Sequence, residues 1–227
     1  MLNEYFIGLD LGQAADYTAV AIVERQLRRP SQAGEATYAL RHLQRFALGT
    51  AYTEIVPAVT ELTGRPPLAG HVTLVVDQTG IGRAVVDMLR RQAVCSIVPV
   101  TITAGDSVTE GGDGSRRVPK KELVTCLQLL LQGRRLRMSR AIPECATLVR
   151  ELENFRVRIT AAAHETFGAG SDAPHDDLVV AVALACWWAE RGGYGPFEVT
   201  ADPSSRSILA DLPEGVFMAD DEKPWRY

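Results

Sequence analysis

Four aspartates stand where a folded chain could bring them together. Asp10 follows the apolar run Phe6, Ile7 and Leu9, Asp77 ends a run of apolar residues from position 71, and the pair Asp176 and Asp177 precedes a long Ala- and Val-rich segment. A lone aspartate at a strand end is usually a turn former or a helix cap. Three such positions together change that balance, because like charges buried side by side are costly unless a cation compensates them. The donors are hard oxygens with no Cys or His cluster nearby, which favours Mg²⁺ or Mn²⁺ over zinc. Asp16, on the turn after Asp10, is placed to approach a second ion. Two divalent cations about 4 Å apart can activate water and clamp the leaving oxygen of a phosphodiester. The chemistry expected is two-metal hydrolysis with Asp10, Asp77, Asp176 and Asp177 as catalytic ligands and Asp16 as a fifth carboxylate.

The elements that must position these residues follow from apolar period and from breakers. Residues 5–10 and 18–24 are β-branched and apolar runs about a polar turn, the pattern of antiparallel neighbours, and 37–46 completes a meander. Helical spacing over 53–62 stops at Gly64 and Pro66-Pro67. Residues 71–77 form a nearly all-apolar run, as in a central strand covered on both faces. A helix over 81–91 and a strand over 96–103 follow, with Pro99 marking an edge or bulge. Residues 104–119 are rich in Gly, Asp and Ser and predict a mobile loop. Beyond it come an amphipathic helix over 120–132, a small strand over 136–138, a helix over 144–152, a hairpin over 155–167 and a helix over 175–191. The expected fold is α/β, with a mixed five-stranded sheet of three antiparallel strands and then parallel crossover units, flanked by helices. In such a sheet, carboxylates at strand ends and at a helix start converge on one edge.

The runs GLDLGQAADYTAVAIVE, VVDQTGIGRAVVDML, VPKKELVTCLQLLL and HETFGAGSDAPHDDLVVAVALA together resemble the C-terminal nuclease domain of bacteriophage large terminase subunits. That domain is ribonuclease H-like and shares a superfamily with Holliday-junction resolvases. The resemblance covers about residues 4–191. It implies that Asp10, Asp77, Asp176 and Asp177 hold the catalytic metals, and that Asp16 contributes to the second metal as its counterpart does in some members. It further implies an endonuclease cutting concatemeric double-stranded DNA during genome packaging, in the cytoplasm of a bacterial host. The packaging ATPase, the small terminase subunit and the portal are the partners it suggests. The chain departs from a whole large terminase in having no G-x-x-x-x-G-K-[ST] loop, so ATP-driven translocation is not assigned to it. An excised domain and a stand-alone gene product both fit.

Taken as a single total, a net charge of −4 argues against a polyanionic partner. Its distribution reverses that reading. Residues 192–227 hold seven acids and three bases, so an acidic, Pro-containing tail carries the whole deficit and the expected domain 1–191 is balanced. Within that domain, Arg116, Arg117, Lys120, Lys121, Arg134 and Arg135 belong to a basic segment suited to DNA phosphates. The resemblance adds that Lys120 or Lys121 could reach the scissile phosphate. His175 could orient a carboxylate or a water, and His164 with Glu165 lies on the expected hairpin. At least one of Trp187 and Trp188 reads as core and not as a base-stacking platform. Cys95, Cys126, Cys145 and Cys186 have neither zinc nor disulfide spacing and are expected as reduced, buried thiols. The longest apolar stretch, 178–189, is too short for a membrane span, and no signal peptide is visible. Two alternatives share features with this reading. A junction resolvase has the same fold and chemistry, and an actin-like or sugar-kinase ATPase also opens with an Asp-Leu-Gly turn, but needs a duplicated second domain.

Overall fold

The computed structural model describes residues 4–12, 16–26, 35–159, 165–169 and 175–191. His164 and the acidic tail, 192–227, lie outside them. The first three runs form an antiparallel meander of β1 (Glu4–Asp10), β2 (Ala19–Gln26) and β3 (Thr37–Arg45). Then α1 (Tyr52–Gly64) leads to β4 (Val72–Asp77), parallel to β1, and α2 (Gly82–Gln92) leads to β5 (Ser96–Thr103), parallel to β4. These are the five expected strands, but the sheet is wider. The expected loop over 104–119 supplies β6 (Thr109–Glu110) and β7 (Arg116–Pro119). A short ladder of backbone hydrogen bonds needs no apolar period, so composition concealed it.

The remaining elements are α3 (Lys120–Gln132), β8 (Leu136–Met138), α4 (Cys145–Asn154), the separate hairpin β9 (Phe155–Ile159) with β10 (Glu165–Ala169), and α5 (Asp177–Arg191). The main sheet runs β6-β7-β5-β4-β1-β2-β3-β8. Pro99 pairs with Val76 one residue before β7 joins β5 at Val100, so the strand is still an edge where proline removes a donor.

Strand alternation divides the core into two layers. Tyr5, Ile7 and Leu9 pack with Ile55, Val59, Val85 and Leu89 of α1 and α2. Phe6 faces the opposite layer, built from α3, α4 and α5. Gly8 shares that second face. A Cβ there would lie 1.8 Å from the carbonyl oxygen of Ala181, so glycine alone lets α5 lie directly on β1. Ala19 and Ala21 keep the neighbouring strand equally low. Because α5 is apolar nearly all round it is buried nearly all round, with α3 and α4 also packed on it. Each fully buried Val or Leu contributes about 1.5–3 kcal/mol, so the core itself fixes where α5 begins.

A β-bulge between β2 and β3 sets Ile22 opposite His42 and Val23 opposite Leu40, leaving Arg41 as the extra residue. Alternation changes parity across it. Tyr38 and Leu40 face α5 before the bulge, and Leu43 does so after it. Trp187 is buried as expected and Trp188 packs against the same core. The four cysteines are free; Cys126, Cys145 and Cys186 are buried and Cys95 is half-buried. Among the described residues, no helix is long and apolar enough to cross a membrane.

Candidate metal centre

Strand register assembles the site. Leu9 pairs with Val76, so the next step of the same parallel ladder sets Asp10 beside Asp77. Asp10 pairs on its other side with Ala19, which pairs with Arg45, while Asp77 pairs with Val100, which pairs with Arg116. Adjacent strands lie about 4.8 Å apart, so these six residues form one row across the sheet. Asp10 is even-numbered like Phe6, and Asp77 odd-numbered like Val75; both therefore face α5. Asp176 and Asp177 stand at the start of that helix, with the Asp176 carbonyl accepting from the Val180 N–H at 2.9 Å.

Burial raises the Asp10 pKa well above its ordinary value, and Asp77, Asp176 and Asp177 push it further, with Lys120 opposing. Asp77 is raised by burial against the hydrogen bonds it accepts from Thr79, N–H at 2.8 Å and hydroxyl at 2.5 Å. Asp177, 4% exposed, is raised by burial and held down by Arg45, whose Nε donates to Oδ2 at 2.6 Å. Asp176 accepts from Lys120 Nζ at 2.7 Å. No described residue hydrogen-bonds to or ion-pairs with the Asp10 carboxylate.

These acids fit a hard divalent cation by donor type, by their mutual repulsion and by the lack of a described partner at Asp10. Their side chains are not drawn together. Among the described residues, no group of three or more His, Cys, Asp or Glu is gathered closely enough to hold one ion. Asp77 is turned onto Thr79, Asp176 onto Lys120 and Asp177 onto Arg45, as expected of repelling carboxylates that each take the nearest internal donor.

Asp16 is 73% exposed and joins the site through His175, whose Nδ1 is 3.6 Å from Asp16 Oδ1 and 3.9 Å from Asp177 Oδ1. The His175 ring meets Tyr17 edge-on at 4.9 Å. Two residues outside the expected set are central here. Arg45, beneath the N-terminus of α5, also donates from Nη2 to Glu151 and lies 4.8 Å over the Tyr17 ring. Glu151 is 6% exposed, and its other oxygen accepts the Val179 N–H at 3.1 Å. Burial pushes its pKa up to about 8, with Asp177 and Asp176 adding to the rise and Arg45 and the Val179 amide opposing it. One signal for Glu151 was available: it lies three residues after Leu148, on the apolar stripe of α4.

The basic segment divides. Lys120 is inside the acid cluster, while Lys121 pairs outward with Asp106. Arg116 pairs with Glu110 and lies 5.8 Å over Trp188. Arg117 is exposed and, with Arg83, borders a groove lined by Gln78, Thr101, Thr109 and the acids Glu110 and Asp113, on the sheet face opposite the one that Asp77 shares with α5. Arg134 and Arg135 are elsewhere. The Tyr38 N–H bonds the Arg135 carbonyl, and Tyr38 is seven residues along β3 from Arg45, roughly 23 Å at about 3.3 Å per residue. Arg135 is moreover bidentate to Glu190, at 3.0 and 2.6 Å, and pairs with Glu35. The spacing that grouped it with the phosphate contacts concealed a helix running between them.

The fold is the ribonuclease H-like fold of large terminase nucleases. Over 81% of this chain it superposes on the large terminase nuclease of thermophilic phage G20c, covering 81% of that chain with a TM-score of 0.56 and 23% identity. Against the same nuclease with bound magnesium the TM-score is 0.58 at 24% identity, covering 81% of this chain and 80% of that one. In sequence the chain is homologous to the terminase large subunits of Thermus phage G20c and Thermus virus P23-45, 26% identical to each over 206 residues. That alignment takes in 89% of this chain and 35% of either relative, so the chain spans about a third of their length. No family model matches the chain.

Proposed function

We propose that this chain is a metal-dependent endonuclease that cuts double-stranded phage DNA during genome packaging, with two divalent cations held by Asp10, Asp77, Asp176 and Asp177 and with Asp16 serving the second. What supports the reading is that Asp10 and Asp77 end neighbouring strands and Asp176 and Asp177 start α5 at the same edge of a terminase-nuclease fold, with no described partner at the Asp10 carboxylate. Packaging in a bacterial cytoplasm, beside an ATPase, a small subunit and a portal, is part of the same proposal.

Mg²⁺ or Mn²⁺ bound there would supply a water of lowered pKa and a clamp for the leaving oxygen. Asp10 and Asp77, on neighbouring strands of a packed sheet, form the fixed half of the cradle. Asp176 and Asp177, at the start of α5, form the other half, set over the sheet by the contact at Gly8. Lys120 offsets charge on the acids and offers an ammonium to a phosphate seated among them. Arg117 and Arg83 offer guanidinium groups to phosphates further along the backbone.

Supercoiled plasmid incubated with the protein and Mn²⁺ or Mg²⁺ is expected to be nicked and linearised, and to survive in EDTA. Asp77→Ala and Asp177→Ala should abolish cutting while leaving the protein folded. Plasmid equally intact with wild type and variants would falsify the nuclease reading. Preferential cutting of four-way junctions would reassign the chain to resolvase-like activity, and ATP hydrolysis to the actin-like class.

A further inference from the structure

Among the described side chains, one donates a hydrogen bond to the Asp177 carboxylate, and the residue's own backbone N–H bonds it as well. Its Oδ2 takes the Arg45 Nε–H at 2.6 Å, while Oδ1 faces His175 Nδ1 at 3.9 Å. The guanidinium that holds it is itself clamped, since Nη2 donates to Glu151, whose second oxygen accepts the Val179 N–H in the first turn of α5. The side chains of Arg45, Glu151 and Asp177 are 15%, 4% and 5% exposed. Four elements meet at this arginine: β3 supplies it, α4 supplies Glu151, α5 supplies Asp177 and the capped amide, and Tyr17 beside the Asp16 turn stacks beneath it. Arg45 is also two strands from Asp10 in the cross-sheet row, about 10 Å away, so it belongs to the same edge without competing for the same position.

We infer that Arg45 is a positioning residue for the metal centre, fixing Asp177 as a ligand that offers a single oxygen, Oδ1, with Glu151 as the anchor that holds the arginine. The inference rests on the proposed nuclease reading. A planar guanidinium fork serves this purpose as an ammonium cannot, because it can fix two carboxylates at once in a set orientation. Asp176 has the opposite character: it is a quarter exposed and is held by a flexible lysine. The two adjacent aspartates are thereby given different tasks, one rigid and one adjustable. Partners that orient metal ligands typically matter 10–100-fold to affinity or activity. Mg²⁺ demands near-ideal octahedral geometry, so lost orientation should penalise it most.

The test compares wild type, Arg45→Met, Arg45→Lys and Glu151→Gln in the full chain, using Mn²⁺ binding read by the EPR signal of the free ion, thermal unfolding in EDTA, and DNA cleavage in each metal. Arg45→Met is expected to weaken Mn²⁺ binding about 10-fold and to lower kcat with Mg²⁺ by about 50-fold, with a much smaller loss in Mn²⁺ and an unchanged KM for DNA. Arg45→Lys should recover only part of this, and Glu151→Gln, which keeps size and one acceptor, should fall between. Equal losses in both metals that track the unfolded fraction would reduce Arg45 to scaffolding and overturn the inference. Tighter Mn²⁺ binding in Arg45→Met would also overturn it, since the arginine would then be only a competing charge. A wild type that neither binds Mn²⁺ nor cuts DNA would remove the nuclease reading itself, and this inference with it.

Discussion

Lys120 Nζ lies 2.7 Å from Asp176 Oδ2, and the same ammonium opposes the rise in pKa of both Asp10 and Asp77. One lysine thus balances charge on three of the four proposed ligands. Removing it leaves the acids to repel one another across the start of α3. Lys120→Met is expected to lower Tm in EDTA at pH 8 by about 2–4 °C, equivalent to about 1 kcal/mol for a chain of this size. Added Mn²⁺ should erase the difference, because the cation replaces the missing charge. A Tm deficit that persists unchanged in Mn²⁺ would mean that the lysine matters for packing alone.

The acid cluster also fixes the sign of the pH dependence. Glu151, pushed up to about 8, and Asp10, raised well above its ordinary value, retain protons in the folded chain that the unfolded chain releases near pH 4–4.5. The native state then binds more protons between about pH 4.5 and 8, so the free energy of unfolding falls as pH rises through that window. In EDTA, Tm should decline from pH 5 to pH 8, and Asp10→Asn should flatten the decline and raise Tm at pH 8 while abolishing cleavage. Differential scanning fluorimetry across this range checks it; a Tm that climbs with pH in EDTA contradicts the assignment.

Arg83 and Arg117 border the groove at Gln78 and Thr101 and are expected to meet DNA phosphates, whereas Arg134 is at the far end of β3. With Ca²⁺ supporting binding without cleavage, Arg83→Ala and Arg117→Ala should each flatten the dependence of log K on log salt by about one unit. Arg134→Ala should leave it unchanged. The opposite pattern would place the duplex across the other end of the sheet.

The sequence exposed whatever rests on apolar period. The bounds of α3, 120–132, and of β5, 96–103, were legible from alternation and spacing, as was the placing of Asp10, Asp77 and the Asp176–Asp177 pair at strand ends and a helix start. Arg45 was not, and the bulge at Arg41 explains why. Strict alternation from Tyr38 and Leu40 assigns Arg45 to the face covered by α1, and only the extra residue returns it to α5. Its partners, 106 and 132 residues away, are invisible at any local spacing. The basic residues misled in another way. A 13-residue helix is about 20 Å long, so Arg116 and Arg134, neighbours in a charge count, stand at opposite ends of α3.

Gly8 gives the site an unusual kind of ruler. Where most ligand pairs are spaced by interlocking side chains that can repack, β1 and α5 meet here main chain to main chain, with the Ala181 carbonyl resting where a Cβ would be. The span from the strand that ends in Asp10 to the helix that begins with Asp177 is therefore set by direct van der Waals contact of two main chains, not by the slack of repacking side chains. Substitutions elsewhere in α5 can loosen the helix or stiffen it, but the width of the opening is a dimension of the backbone and has no side chain through which to drift.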